Sequence, residues 1–505
     1  MHSSTALYQV SEIRAIEEAA LATLPTGTLM QRAGEAAARV ALKLSSEPRQ
    51  TAPVLVLAGP GNNGGDALET AFQLANSGLE VVVLLCADLA RQSKDSQRAL
   101  AKAKSTAARF LEPTVDSARA QRWSLIIDGL FGIGLTRPIA ANLRALVETI
   151  NSLNCPVLAL DVPSGIDADT GAIVGDTGVA IRATHTVTFI GDKPGLHTFN
   201  GRDFAGEVEV ANLRIEHELF PSAKAYLNSL ETFTPFLRHR QHNSHKGSFG
   251  DVIVVGGAHG MGGAPILAAR AASKCGAGRV FAAFIDEPPP YDSVQPELMC
   301  RYAPEMDFTG ATLVVGPGLG ISELAHDILS KVLHAPSPIV LDADALNLIA
   351  AEPGLQQELA QRSADAVITP HPLEAARLLG TTAKEIQADR PTAAAELAQR
   401  LNAVAVLKGS GSIIAKPDGA LYINTTGNPA LATAGTGDVL AGICGALVAQ
   451  SFPVWNAALA ATWLHGQAAD TLLGQGTGPI GMTASELIPC VRTILNQLTQ
   501  KYAPR

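Results

Sequence analysis

The sequence predicts an α/β protein of two domains, and three observations carry that prediction. The chain is 505 residues long, more than one hydrophobic core ordinarily serves. Short apolar runs recur through both halves, each closed by Gly, Pro or Asp and separated by helix-like segments. Strands that are apolar throughout belong to parallel sheets covered on both faces. Between Arg214 and Ser248 the rhythm stops, and charged residues, His and Pro gather in RHRQHNSHKGS, so the domains are expected at residues 1–225 and 226–505.

Composition narrows the function. The 47 acidic and 38 basic residues give a net charge of −9, which argues against nucleic acid or an anionic membrane as partner. The six cysteines, Cys86, Cys155, Cys275, Cys300, Cys444 and Cys490, show no paired or Cys-x-x-Cys spacing, so neither a zinc site nor a disulfide framework is expected. MHSSTALYQV lacks a basic region followed by an apolar core, so no secretory signal is expected. The uncharged stretch after Asp438 is broken by Gln450, Ser451, Pro453 and Asn456 and reads as two buried helices, not a membrane span. Small-molecule chemistry in a reducing, cytoplasmic setting is the expectation, in a homo-oligomer.

In chain order, residues 11–44 read as two helices, with Ile13, Ile16 and Ala20 on one face and Met30, Ala33, Ala37 and Leu44 on another. Strand-like runs follow at 53–58, 79–85, 124–128, 156–161 and 183–189. Ligands of parallel sheets sit beyond the carboxyl ends of the strands, which directs attention to the loops there. The first is GPGNNGGD (59–66), read as a glycine-rich loop offering Asn62, Asn63 and Asp66. DGLFGIGLTRP (128–138) follows the third strand, and DVPSGID (161–167) follows the fourth, with Asp161 at the strand tip and Ser164 beyond it. The hard oxygens of Asn63, Asp128 and Ser164 suit a cation that takes no nitrogen or sulfur ligands. Lys193, in DKPGL, either faces the same cleft or is solvated.

Past the junction, His217, His239, His242 and His245 have no metal-like partners in sequence and read as hydrated linker. Lys246 to Gly278 then reads as a strand (251–255), a glycine turn and a helix beginning near Gly263, whose free amides could meet an anion. It is not a Walker A loop, since no Gly-Lys-Ser/Thr follows the glycines. Further strands end in TLVVGPGLG (312–320), PIVLDADAL (338–346), ADAVITPHPLE (364–374) and AVAVLKGSGSII (403–414). Lys408 and the turn to Ser412 suit a nucleotide's phosphate or ribose, and a hairpin is expected around Pro417, Asp418 and Gly419. His371, between two prolines, either caps a helix or meets a substrate.

The stretch Thr425–Gly442 organises this half. Gly435, Thr436 and Gly437 precede Asp438, after which Val439, Leu440, Ile443 and Leu447 recur at helical spacing. The first amides of a helix have no partner within it, so this turn suits a phosphoryl group. Asp438 either caps the helix or takes a proton from a hydroxyl while the backbone neutralises the transferring group.

AGPGNNGGDAL, DGLFGIGL, DVPSGIDADTG and KPGL together resemble the N-terminal domain of the bifunctional NAD(P)H-hydrate repair enzymes, over about residues 1–215. The resemblance implies a Rossmann-like α/β/α sandwich that epimerises the R and S hydrates of NADH and NADPH. It implies that Asn62, Asn63, Gly64, Gly65 and Asp66, the loop Gly132, Ile133, Gly134, Leu135, Thr136, Arg137 and Pro138, and Asp161 line the nucleotide site. Asn63, Asp128 and Ser164 would surround a potassium ion, with Asp161 as the acid/base.

KGSFGDVIVVGGA, GPGLG, PHPLE, KGSG and GTGD resemble, in order, the ADP-dependent NAD(P)H-hydrate dehydratases of ribokinase-like α/β fold, over residues 230–500. This implies that Ala264, Gly318, His371 and Asp438 contact the hydrated nucleotide. Lys408, Gly409, Ser410, Gly411, Ser412 and Gly437 would hold ADP or ATP, with a magnesium ion expected beside it. Leu373 stands where that family usually has glycine, and an altered loop shape is expected there. Competing readings are a small-alcohol kinase and a non-enzymatic adenylate-binding protein.

Overall fold

The computed structural model describes residues 5–45, 52–87 and 93–504. The chain divides into two compact units, residues 6–225 and the chain from Tyr226 onward, the latter joined by Thr5.

In the first unit, helices Val10–Leu21 and Thr28–Ser45 bury Ile13, Ile16 and Ala20 and, from the second, Leu29, Ala33, Ala37 and Val40. The sheet is parallel throughout, in the order Arg109–Leu111, Val81–Leu85, Val54–Ala58, Leu125–Gly129, Val157–Leu160, His185–Phe189, Glu207–Ala211. The two outermost strands were not expected from sequence. Both are half-solvated, with Arg109, Leu111, Glu207 and Glu209 exposed, so neither shows the uniform apolarity of the central strands.

Val54–Ala58 pairs on one side with Val81–Leu85 and on the other with Leu125–Gly129. Strand order reverses there, which opens a crevice beyond the carboxyl ends of these two strands. The stretch 59–66 is not wholly a loop: helix Asn62–Asn76 begins inside it, with Gly61 as N-cap. A Cβ at Gly64 would lie 1.9 Å from the Gly59 carbonyl oxygen, so glycine there lets the helix close onto the strand exit.

The second unit's sheet runs Leu421–Asn424, Ser412–Ala415, Val404–Leu407, Ala366–Ile368, Ile339–Leu341, Thr312–Val315, Asp251–Gly256, Arg279–Phe284, Met299–Tyr302. The first three form antiparallel pairs around the expected hairpin, and the rest are parallel. Arg279–Phe284 and Met299–Tyr302 were not anticipated; exposed Arg279 and Arg301 obscure their strand character. Order reverses at Asp251–Gly256, between Arg279–Phe284 and Thr312–Val315.

Helix Thr436–Ala449 buries Val439, Leu440, Ile443 and Leu447 against helix Gly263–Lys274 and the sheet. A Cβ at Gly442 would come within 2.1 Å of the Ala268 carbonyl oxygen, and one at Gly445 within 2.4 Å of Val314 Cγ2. This close approach fixes where the helix N-terminus points. Among the described residues no helix is long and apolar enough to cross a membrane.

Candidate active sites

In the first unit a cleft of about 720 Å³ opens at the crevice, large enough for a nucleotide fragment. Asn62, Asn63, Asp66, Asp161 and the stretch Gly132–Arg137 line it, so three separate loops converge as expected. Gly64, Gly65 and Pro138 do not line it. Gly64 lies against Gly59 and Gly65 against Met30, while Pro138 packs on Gly175.

Asp161 has φ 66, a left-handed conformation that aspartate tolerates better than most residues. Its amide donates to the Val187 carbonyl at 2.8 Å, and its Oδ1 lies 2.8 Å from Lys193 Nζ. Lys193 is fully buried and also donates to Thr188 Oγ1 at 2.7 Å, Phe189 O at 2.9 Å and Gly191 O at 3.0 Å. The solvated reading of Lys193 is therefore wrong. Such a pair, with its remaining donors satisfied, holds the carboxylate in one orientation. A Cβ at Gly132 would sit 3.1 Å from Asp161 Oδ2 and 3.4 Å from Asn63 Cγ, so a side chain there would intrude between them.

Beside the cleft, Ser164 Oγ donates to Asp128 Oδ1 at 2.6 Å, and the Ser164 amide donates to Oδ2 at 2.8 Å. Burial pushes the Asp128 carboxyl up to about 6 against the pull of the Ser164 bonds. Asn63 is buried, yet among the described residues neither its Oδ1 nor its Nδ2 has a hydrogen-bond partner. A buried amide left unmet costs stability unless a ligand completes it. Its main-chain oxygen lies against Gly129, next to Asp128.

Sequence reasoning missed Glu17, which projects into the same cleft from helix Val10–Leu21. Burial, then the charge of Asp161, raises its proton affinity, while Arg14 and Lys193 oppose. Asp66 is held well above the usual carboxylate range by burial, then by Asp161, Glu17 and Glu69. No sequence signal marked Glu17, which lies outside the glycine-rich loops.

In the second unit, helix Thr436–Ala449 starts from Gly435 at φ 88, so the N-cap is Gly435, and Asp438 stands within the first turn. Thr436 Oγ1 donates to the carbonyls of Leu431 and Thr433, both at 2.9 Å, pinning the turn. Burial, followed by the charge of Asp342, lifts the Asp438 carboxyl to about 7; Lys408 opposes and Asp344 adds.

Lys408 Nζ donates to Asp342 Oδ1 at 2.6 Å and lies 3.9 Å from Glu374 Oε2. Burial pulls its pKa down, but Asp342 and Glu374 outweigh that and leave it above the ordinary value. A Cβ at Gly437 would be 3.4 Å from Lys408 Nζ and 3.5 Å from Asp342 Oδ2. Helix start, lysine and acid therefore meet around a backbone with no intervening side chain. Asp342, not singled out from sequence, ends an apolar strand just as Asp161 does, and that was the available signal.

His371 Nδ1 accepts from the amides of Leu373 and Glu374 at 3.1 and 3.3 Å, and Glu374 Oε2 accepts from the His371 amide at 2.7 Å. His371 does cap a helix, Pro372–Leu379, while its side chain remains nearly half exposed. Leu373 occupies the first turn of that helix with its side chain outward, so the expected distortion is not needed. Gly318, at φ 58, lies against Met261 and Ala264, which brings Ala264 and Gly318 together at the sheet's switch point. In the turn after Lys408, the Gly409 amide donates to Ser412 Oγ at 3.3 Å, and Gly409 and Ser410 are exposed.

Comparison with known proteins follows the same division. A family described as YjeF-related protein N-terminus matches residues 26–195, and one described as NAD(P)H-hydrate dehydratase matches residues 252–492. A bifunctional NAD(P)H-hydrate repair enzyme of Coxiella burnetii is 39% identical over 97% of this chain and 100% of its own length. The chain belongs to the bifunctional NAD(P)H-hydrate repair enzymes.

Within that family the first match contains Asn63, Asp128, Asp161 and Lys193, and the second contains Asp342, Lys408 and Asp438. An ADP-dependent (S)-NAD(P)H-hydrate dehydratase of Neisseria meningitidis serogroup B is 42% identical over 55% of this chain and 96% of its own. The crystal structure of an ADP/ATP-dependent NAD(P)H-hydrate dehydratase from Bacillus subtilis, co-crystallised with ATP and Mg²⁺, aligns at 30% identity and TM-score 0.45. It covers 52% of this chain and 94% of its own.

Proposed function

We propose that this chain repairs hydrated NADH and NADPH at two separate sites. The first unit interconverts the R and S hydrates; the second dehydrates the S form at the expense of ADP or ATP. Family membership supports the pairing of activities, and the observation that carries the chemistry is Asp438, beside a glycine-flanked helix start and lifted to about 7.

The hydrate bears a hydroxyl at C6, a poor leaving group. Asp438 takes the hydroxyl proton as the phosphoryl group transfers, and the amides of the Gly435–Gly437 turn with Lys408 neutralise the charge that develops. Phosphate then departs and the dihydronicotinamide ring is restored, so hydrate and ADP give NADH, AMP and phosphate. Lys408, Gly409, Ser410, Gly411, Ser412 and Gly437 hold the nucleotide, accompanied by magnesium. Ala264, Gly318 and the exposed side of His371 receive the hydrate.

In the first unit Asp161, oriented by Lys193, is the acid/base, and Asn62, Asn63 and Asp66 with Gly132 to Arg137 bind the nucleotide. The residues around Asp128 fit a potassium ion. The unmet Asn63 amide and the Asp128 and Ser164 oxygens are hard donors, and a cation bound there would offset the Asp128 charge. All six cysteines are free thiols, in keeping with a reducing, cytoplasmic setting.

The test is to give the purified chain hydrated NADH with ADP, with ATP or with neither, in potassium or in sodium. NADH should return only with adenylate, R and S should interconvert without it, and sodium should slow interconversion alone. A stable phosphorylated alcohol as product would instead establish a kinase.

A further inference from the structure

Arg390, in the first turn of helix Arg390–Leu401, is among the largest fully buried side chains, at 1% exposed. Burial lowers its pKa only to about 10, so it is charged at neutral pH. A buried charge is costly, and its partners show what it serves.

The guanidinium lies beneath the turn from Lys408 to Ser412. Nη2 donates to the Leu407 carbonyl at 3.2 Å and reaches the Gly411 carbonyl at 3.5 Å; both terminal nitrogens reach the Lys408 carbonyl at 3.4 Å. Nη1 also donates to Gln387 Oε1 at 2.8 Å. One planar fork thus bridges both ends of the turn. Gly409, at φ 148, packs so closely that a Cβ would meet Nη1 at 2.7 Å and Nη2 at 2.8 Å. Arginine at 390 and glycine at 409 are therefore matched to each other.

We infer that Arg390 is a positioning residue that sets the affinity for the adenine nucleotide, by gathering the carbonyls of the Lys408–Ser412 turn onto its buried side. The inference rests on the ADP-dependent reading of the second unit. Gly409 and Ser410 stay on the exposed side, available to the nucleotide, and Lys408 is held where its ammonium meets Asp342 and Gly437. A lysine at 390 would keep the charge but lose the planar fork that spans several carbonyls.

The experiment uses the full chain carrying Arg390→Lys, Gly409→Ala, or both. Initial rates of dehydration give KM for ADP, KM for hydrated NADH and kcat; epimerisation and calorimetric ADP binding are measured on the same preparations. Arg390→Lys should raise both the KM and the Kd for ADP about tenfold or more, leaving KM for hydrated NADH and epimerisation within about twofold. Gly409→Ala should do the same, and the double variant should be no worse than the worse single, because both act through one turn. ADP affinity unchanged in Arg390→Lys, additive effects in the double variant, or a parallel loss of affinity for both substrates would overturn the inference. If the unaltered chain regenerates no NADH with ADP, the functional reading itself fails, and that result is seen before any variant is made.

Discussion

Two aspartates, one in each unit, stand at the carboxyl edges of parallel sheets, yet they are built for different work. Asp161 sits on a left-handed backbone with a buried ammonium 2.8 Å from its carboxylate. Asp438 stands at a helix start, while the nearest lysine, Lys408, is drawn 2.6 Å from Asp342 instead. One carboxylate is locked in place by its cation. The other is lifted to about 7 by burial first and then by the charge of Asp342, with Lys408 opposing and Asp344 adding. Burial together with the lysine's partner sets the difference between the two aspartates.

The largest effect expected from disturbing this contrast comes at Lys408. Lys408→Met should lower dehydration on the order of 10³-fold, since it removes charge stabilisation beside the helix start and takes the ammonium partner from Asp342. Epimerisation should not change. Lys193→Met should be felt differently, because it strands Asp161 beside the cleft. The first unit should lose about 3–5 kcal/mol of stability, read by thermal unfolding, and epimerisation should fall while dehydration of the S hydrate persists. Equal losses of both activities in either variant would break the contrast.

A subtler expectation concerns pH. A base must be deprotonated to act, so dehydration should fall roughly tenfold per unit as pH drops below about 7, the value to which Asp438 is raised. Asp342→Asn removes a like charge and frees Lys408, so the midpoint should move to lower pH. The stability sign is opposite to that of a salt-bridged carboxylate. Raised proton affinity costs the folded state above about 7 and costs nothing below the ordinary carboxylate value of 3.8. Asp438→Asn should therefore stabilise the fold above neutrality by on the order of 1–2 kcal/mol, discounted because the residue is only half-buried. Smallest of all, Leu373→Gly should alter dehydration by no more than about twofold, since that side chain points outward from a capped helix start.

Much of this was legible before the structure. Central strands such as Val54–Ala58 and Thr312–Val315 are apolar at every position because both faces are covered, and glycine and aspartate punctuate their ends. Asp161 stood out because it ends an apolar strand, and Asp438 because it follows Gly435, Thr436 and Gly437 at a helix start. What stayed hidden depends on tertiary partners. Edge strands such as Glu207–Ala211 carry charge on their solvated side, and Glu17 and Arg390 lie on helices where a charged residue ordinarily faces water. Nothing local distinguishes a buried Lys193 from a surface lysine; its three oxygen partners beyond Asp161 come from the strand and turn just before it, folded back around it.

The division of labour is tested most directly by assaying both reactions on Asp438→Asn and Asp161→Asn in the intact chain. Asp438→Asn should abolish adenylate-dependent recovery of NADH while R and S hydrates still interconvert, and Asp161→Asn should abolish interconversion while the S hydrate is still dehydrated. Loss of both activities in both variants would contradict two independent sites.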